Sequence, residues 1–307
     1  MTYYAGIDGG QSSTTAAIAD EKGRILARGS AGPADEIGQT RDSTRLRDAL
    51  ASALADAVAK AGLPADTQFS AIAAGVSGYE GRVYGAAPQL PAQSVLLVHD
   101  TENAHAGALA GEAGTIAIAG TGSVAFARSE RGVTALLGGW GFLFGDEGSG
   151  FWLAREALSA AMRDRDAGED NELGALALEH FNKPSLRAIA RAFYAGEISR
   201  AHVAAFSGTI VHAAERGNVA AMQSVRAGAH ALAALARQAM HQAGISRGKI
   251  AVTGGMMLSS TYAGEVAAAL REALPQCERV RPRYDPAVGS LILAYKRAGV
   301  PVPESIA

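Results

Sequence analysis

Several stretches of this chain place residues able to handle phosphates and protons at the ends of strand-like apolar runs. Val95-Leu96-Leu97-Val98 suits a buried strand of a parallel sheet, and Asp100 stands just past it. Ligands of open α/β sheets bind outside the carboxyl ends of the strands. A carboxylate there can hold Mg²⁺ or take the proton of an attacking hydroxyl. A second run, Thr115 to Ala119, breaks at Gly120-Thr121-Gly122-Ser123. Glycine turns let backbone N–H groups approach phosphate oxygens closely. Plainer roles fit the same residues. Asp is a favoured helix N-cap, and a glycine turn can simply close a hairpin.

The elements that must carry these residues follow from the pattern. Tyr3–Ile7, Thr14–Ala19 and 24–30 read as strands, separated by the turns Asp8-Gly9-Gly10-Gln11-Ser12-Ser13 and Asp20-Glu21-Lys22-Gly23. The same strand, glycine turn, strand, turn, strand order returns over 115–137, about 110 residues later, as duplication of a supersecondary unit would produce. Between the copies, Leu46, Leu50, Leu54 and Val58 recur at helical spacing over 41–62, and Gly62 and Pro64 stop that helix. A strand over Phe69–Val76, the Val95 strand and a helix over 104–109 complete a β-β-β-α-β-α-β-α reading of an α/β domain.

The second half opens with the glycine-rich run 138–150, which holds Trp140, Gly141, Phe142, Phe144, Asp146, Glu147 and Ser149. Its aromatics argue for a packed binding loop, since a solvent loop would not normally display them. Helices are expected over 151–162, 172–181, 185–194, 199–215 and 218–243, with a charged exposed loop at 163–171. Asn218 is the expected N-cap and Gly244 the C-cap of the longest helix. The strand Lys249–Thr253 ends in a third glycine turn, Gly254-Gly255. A helix over 261–274 and a short edge strand near 279–282 precede the final helix, which Asp285-Pro286 opens as N-cap and N1.

Composition removes several function classes. Hydrophobic residues make up 48% and charged residues 19% of 307, as in a globular core. A net charge of −2 gives no electrostatic case for nucleic acid or an anionic membrane. The single cysteine, Cys277, excludes an intrachain disulfide and leaves too few thiolates for a one-chain metal cluster. The seven histidines show no metal-ligand spacing and read as ordinary surface or core residues. No signal-peptide pattern and no apolar run of ~18 residues is present, so a cytoplasmic location is expected.

Gly120-Thr121-Gly122-Ser123-Val124-Ala125 fits the dinucleotide fingerprint by letter, but that fingerprint must open a helix. Here a strand and a Ser-Glu-Arg-Gly turn follow, so the motif is a hairpin. No P-loop spacing exists. Two glycine hairpins, a strand-terminal carboxylate and a late glycine turn instead suit a duplicated nucleotide clamp.

This constellation resembles the actin–hexokinase superfamily, with its two-lobed actin-like ATPase (ribonuclease H-like) fold. Asp8-Gly9-Gly10-Gln11-Ser12 is similar to its first phosphate motif, Ala119 to Ser123 to its second, and Val252-Thr253-Gly254-Gly255-Met256 to its adenosine motif. Within it the chain resembles the N-acetylglucosamine kinase/BadF-BadG-BcrA-BcrD ATPase family over essentially its whole length. Val98-His99-Asp100, Gly138-Gly139-Trp140-Gly141 and Gly145-Asp146-Glu147-Gly148-Ser149 carry that resemblance.

The resemblance implies an ATP- and Mg²⁺-dependent kinase acting on a hydroxyl of an amino sugar, N-acetylglucosamine or glucosamine, with a 6-phosphate product. It implies Asp100 as catalytic base and Asp8, with Asp100, on Mg²⁺, partly through water. Gly9, Gly10, Gln11, Ser12, Ser13, Gly120, Thr121 and Gly122 would meet the ATP phosphates, and Gly254, Gly255 and Ser259 the adenosine. Ser123, Trp140, Gly141, Asp146 and Glu147 would meet the sugar. Asp35 stands where the family often carries Asn, in Gly32-Pro33-Ala34-Asp35. A carboxylate accepts but cannot donate a hydrogen bond, which would favour a free amine over an N-acetyl group. The implied lobes are 1–110, with helix 285–307 returning to it, and 111–284. A homodimer stays open. Two other functions share the fold. An activator-type ATPase would need paired cysteines for an interface cluster. A non-catalytic sugar sensor often carries a DNA-binding segment ahead of the fold.

Overall fold

The computed structural model describes every residue except Asp170. Its elements are β1 (Tyr3–Gly9), β2 (Thr14–Asp20), β3 (Ile25–Ala31), α1 (Arg45–Lys60), β4 (Phe69–Val76), β5 (Ala92–His99) and α2 (Asp100–Ala108). Then come β6 (Gly114–Ala119), β7 (Ser123–Arg128), β8 (Thr134–Gly138), α3 (Gly150–Ala167), α4 (Glu172–Phe181), α5 (Leu186–Tyr194), α6 (Arg200–Glu215) and α7 (Val219–Gln242). The chain ends with β9 (Lys249–Thr253), α8 (Ser260–Ala273), β10 (Glu278–Val280) and α9 (Pro286–Arg297). Two compact units result: Met1–Ala113 together with Arg281–Ala307, and Gly114–Val280.

The first unit is built on the sheet β3-β2-β1-β4-β5. β1 runs antiparallel to β2 and parallel to β4, and β4 runs parallel to β5. Successive side chains of β1 leave opposite faces, as the two-residue period requires. Ala5 and Ile7 pack with Leu46, Leu50 and Leu54 of α1, whereas Tyr4 packs with Leu291, Ile292 and Tyr295 of α9. The second unit repeats this plan in the sheet β10-β9-β6-β7-β8. There too the first strand, β6, is antiparallel to its hairpin partner β7 and parallel to β9. The repeat expected from the sequence is therefore a repeat of sheet topology. Helices α3, α6, α7 and α8 build the second unit's main apolar core, around Phe151, Phe206, Ile210, Leu232 and Tyr262.

Several boundaries differ from expectation. No helix joins β4 to β5; residues 77–91 are turns and bends, in keeping with Gly78, Gly81, Gly85, Pro88 and Pro91. The expected β-α-β-α ending of the first repeat is thus β-β-α. α2 begins at Asp100, not near 104, and α3 continues through Arg163–Ala167, where a charged loop is expected from the sequence. Those residues form a solvated last turn that Gly168 closes at φ 82°; Asp170 of that stretch lies outside the described residues. Ala243 is the C-cap of α7, and Gly244 follows it at φ 72°. Asn218 and Asp285 cap α7 and α9 as expected, each accepting from the amide three residues on.

Candidate active site

In the first unit the candidate residues gather where β1, β4 and β5 end. Asp8 pairs in register with Gly75 of β4 and Thr15 of β2. α2 follows β5 directly, with His99 as its N-cap and Asp100 as its first residue. The His99 ring accepts from the Thr101 amide at 3.2 Å, and its Nδ1 lies 2.9 Å from Asp100 Oδ1. Asp100 is therefore not the cap, and His99 is not an ordinary core histidine. Burial acts to lower the His99 pKa, but hydrogen bonding and charge from Asp100, with Glu102 and Glu80, outweigh it and raise the pKa.

Asn103, one turn along α2 and fully buried, donates its Nδ2 to Asp8 Oδ1 at 3.0 Å and to the Pro286 carbonyl at 3.1 Å. The bare Gly75 makes room for it; a Cβ there would fall 2.0 Å from Asn103 Oδ1. Asp8 is crowded by protein, although part of its surface stays open. Burial raises its pKa to about 6, Asn103 opposes that, and the charges of Asp100 and Asp285 add to it.

The first glycine turn hangs from β1. Gly10 N–H donates to the Ser13 carbonyl at 3.0 Å, and the Gly10 carbonyl accepts from Ala34 N–H at 3.0 Å. Gln11, Ser12 and Ser13 are exposed. Asp35, next along that strap, is buried and ion-paired to Nη1 of Arg45 at 3.0 Å. Its expected freedom to meet a substrate ammonium is thus shared with a cation at the start of α1.

The second unit holds the remaining residues. Gly120 N–H donates to the Gly122 carbonyl at 2.9 Å, and the first amides of α3, on Gly150 and Phe151, donate to the Gly120 and Thr121 carbonyls. Thr121 is exposed, Ser123 buried. Gly254, at φ 105°, passes so close to β6 that a Cβ would lie 2.3 Å from the Ala119 carbonyl oxygen. Gly255 begins a single 3₁₀ turn, and Ser259 caps α8, accepting from Tyr262 N–H at 3.2 Å. The Tyr262 hydroxyl, pushed up in pKa by burial, donates to the Gly148 carbonyl.

The loop from Gly139 to Glu147 is fastened at both ends to Ser123. Gly139 N–H donates to the Ser123 carbonyl at 3.0 Å, and the Ser123 hydroxyl to the Glu147 carbonyl at 2.8 Å. Phe142 packs on Phe151 and Phe193. Trp140 and Phe144 do not: they are 76% and 84% exposed, which corrects the packed-loop expectation for both. A tightly closed loop cannot fold all of its large side chains inward, and only Phe142 faces the core. Gly141 and Glu147 are partly and largely exposed. Asp146 is 3% exposed and adopts φ 62°, unusual for a residue with a side chain. Its carboxylate accepts from Ser123 N–H at 3.1 Å and from Arg200 Nη2 at 2.8 Å.

Asn103, His99, Arg45 and Arg200 were not singled out as site residues from the sequence. Asn103 had a signal, its three-residue spacing from Asp100 on one helix; Arg200, 54 residues from Asp146, had none. Among the described residues no three His, Cys, Asp or Glu side chains form a metal cage. Asp8 and Asp100 are the carboxylates that could hold a divalent cation here, and a cation bound there would hold Asp8 ionised. No helix among the described residues is long and apolar enough to cross a membrane. Cys277 is partly buried, its Sγ 3.7 Å from Met240 Sδ.

The sequence profile described as the BadF/BadG/BcrA/BcrD ATPase family matches residues 5–294. An N-acetylmuramic acid/N-acetylglucosamine kinase of Clostridium acetobutylicum is 25% identical over 304 residues, covering 96% of this chain and 98% of the relative. A glucosamine kinase of Vibrio cholerae is 29% identical over 187 residues, 59% of this chain and 62% of the relative, so the match spans under two thirds of its length. A solved structure from Chromobacterium violaceum, provisionally named an N-acetylglucosamine kinase, matches with a TM-score of 0.79 at 27% identity. It covers 95% of this chain and 99% of that one.

Proposed function

This chain belongs to the BadF/BadG/BcrA/BcrD ATPase family, and we propose that it is an ATP-dependent kinase phosphorylating a hydroxyl of an amino sugar. N-acetylglucosamine or glucosamine is the substrate of this reading, and the 6-phosphate its product. The observation that carries it is the Asp100 carboxylate at the β5–α2 junction, in a chain similar from end to end to an amino-sugar kinase. Phosphoryl transfer asks the protein for little covalent chemistry; it needs a held phosphate chain and an aligned hydroxyl.

In this reading Asp100 accepts the proton of the sugar hydroxyl as that oxygen attacks the γ-phosphorus. The turns Gly9–Ser13 and Gly120–Gly122 offer backbone N–H groups to the phosphates, and Gly254, Gly255 and Ser259 flank the adenosine. Ser123, Trp140, Gly141, Asp146 and Glu147 bind the sugar, and Asp35 faces the substituent on its second carbon. Bound through Asp8 and Asp100, Mg²⁺ would neutralise phosphate charge as it builds. The activator-type alternative gains nothing from Cys277, which is packed against Met240.

The test is a panel of hexoses and hexosamines with ATP and Mg²⁺, followed by ADP release and mass analysis of the product. Sugar-dependent ADP release with N-acetylglucosamine or glucosamine is expected. No hexosamine raising ADP release above the sugar-free rate would overturn the proposal.

A further inference from the structure

Arg200 enters from the first turn of α6 and meets three separate parts of the second unit. Its Nη2 donates to Asp146 Oδ2 at 2.8 Å. Its guanidinium stands 5.6 Å from the centre of the Phe142 ring, the one aromatic of the glycine-rich loop that faces the core. It also abuts the phosphate turn: a Cβ on Gly122 would lie 2.7 Å from Nη2 and 2.8 Å from Asp146 Oδ2. Its Nε is buried with no hydrogen-bond partner, although such a donor normally has one. A buried donor left unmatched costs free energy. Asp146, held at φ 62°, adds backbone strain. Two unfavourable features thus meet at one ion pair between residues 54 positions apart. What they accomplish is geometric. Arg200 takes one carboxylate oxygen, and the other is left on Ser123 N–H at 3.1 Å. Ser123 in turn holds both ends of the loop, through its carbonyl and its hydroxyl.

We propose that Arg200 is a positioning residue for the sugar site. It holds the Asp146 carboxylate on the Ser123 amide, and through Ser123 it fixes the phosphate turn and the glycine-rich loop in one arrangement. Its relevance to the sugar rests on the amino-sugar kinase reading; its hold on the loop does not. A charge-assisted hydrogen bond to a buried carboxylate is strong and directional, which suits it to aim that carboxylate.

Arg200→Met keeps the aliphatic stem and removes the donors; Arg200→Lys keeps a cation and a donor of different shape. Two readouts are made on the full chain. In hydrogen exchange without ligand, Arg200→Met should speed exchange of amides in 120–147 by about tenfold or more, the scale of one lost charge-assisted bond. Arg200→Lys should do so less, and segments of Met1–Ala113 should match wild type. In steady-state kinetics, Arg200→Met should raise KM for the sugar by a similar factor and KM for ATP by a clearly smaller one, because the turn Gly9–Ser13 keeps its own hold on the phosphates. The combination Asp146→Asn with Arg200→Met should be no worse than the more impaired of its two single variants, because both break one unit. Unchanged exchange over 120–147, equal loss of sugar and ATP affinity, or additive effects in the double variant would each overturn the proposal. If wild-type protein phosphorylates no hexosamine, the kinase reading fails, while the exchange comparison still decides whether Arg200 holds the loop.

Discussion

Asn103 and Asp8 meet through one hydrogen bond of 3.0 Å, from a buried carboxamide one turn beyond Asp100 to the carboxylate at the end of β1. The bond favours the charged form of Asp8, yet burial wins and the pKa stands at about 6 against an ordinary 3.8. The folded state therefore holds this proton more tightly than the unfolded chain does. The contribution favours folding fully below about pH 4 and is lost as pH rises through about 6. In metal-free protein, Asp8→Asn should raise the melting temperature at about pH 7.5 and flatten its fall between about pH 4 and 6. It should also abolish kinase activity. Melting curves for the two proteins that run parallel from pH 4 to 8 would remove this account.

Asp100→Asn keeps size and an acceptor oxygen but cannot take a proton. Loss of a general base typically costs about 10²–10⁴ in rate, so kcat should fall by that order with sugar affinity changed much less. Folding stability should barely move, because the cap of α2 is His99. His99→Ala should by contrast cost about 1 kcal/mol through the lost cap, and His99→Asn should restore it. Thermal melting together with a coupled assay separates the two residues. A near-normal kcat in Asp100→Asn would require another base.

Asp35 and Arg45 together should bias the choice between an amine and an acetamide. With Arg45 3.0 Å from its carboxylate, Asp35 has part of its charge already answered. Arg45→Met should raise kcat/KM for glucosamine relative to N-acetylglucosamine, by about threefold or more, because a substrate ammonium then becomes the main cation available. Asp35→Asn should move the ratio the other way. An identical ratio in all three proteins would take Asp35 out of the specificity argument.

Gly254→Ala sets a methyl group against the backbone of β6, 2.3 Å from an oxygen, at φ 105°. Either β9 withdraws or the turn changes its path. The expected outcome is a fall in melting temperature of several degrees and a larger relative rise in KM for ATP than for sugar. A variant with wild-type melting and wild-type KM for ATP would show that the turn tolerates a side chain and does not meet the nucleotide.

The sheets and most helices were readable because burial leaves a periodic trace. Leu46, Leu50, Leu54 and Val58 recur at four-residue spacing, and all four are buried on one face of α1. Strand-end glycines and the caps Asn218 and Asp285 were legible for the same local reason. Residues 163–167 were not, since Arg-Asp-Arg-Asp suits a solvated helix turn as well as a loop. Nor was the exposure of Trp140 and Phe144, because composition tells how apolar a loop is but not which side chains its closure can turn inward. The partners of the candidate site were the least visible. Arg45 with Asp35, Asn103 with Asp8 and Arg200 with Asp146 stand 10, 95 and 54 positions apart, and pairing across such separations leaves no repeat to detect.

The return of α9 to the first sheet governs the order in which the protein can mature on the ribosome. Ser290 donates to the Ile7 carbonyl at 2.7 Å across 283 positions, and Tyr295 to the Asp20 carbonyl at 2.7 Å across 275. The strands of the first sheet are synthesised early, but one of its faces stays bare until α9 emerges. Gly114–Val280, being contiguous, can meanwhile complete its own core. A ribosome halted before Pro286 would release a chain that carries every candidate site residue but lacks the Pro286 carbonyl that Asn103 donates to, with one sheet face exposed to chaperones and proteases. Nonsense mutations in the last few dozen codons should therefore lower the protein's abundance.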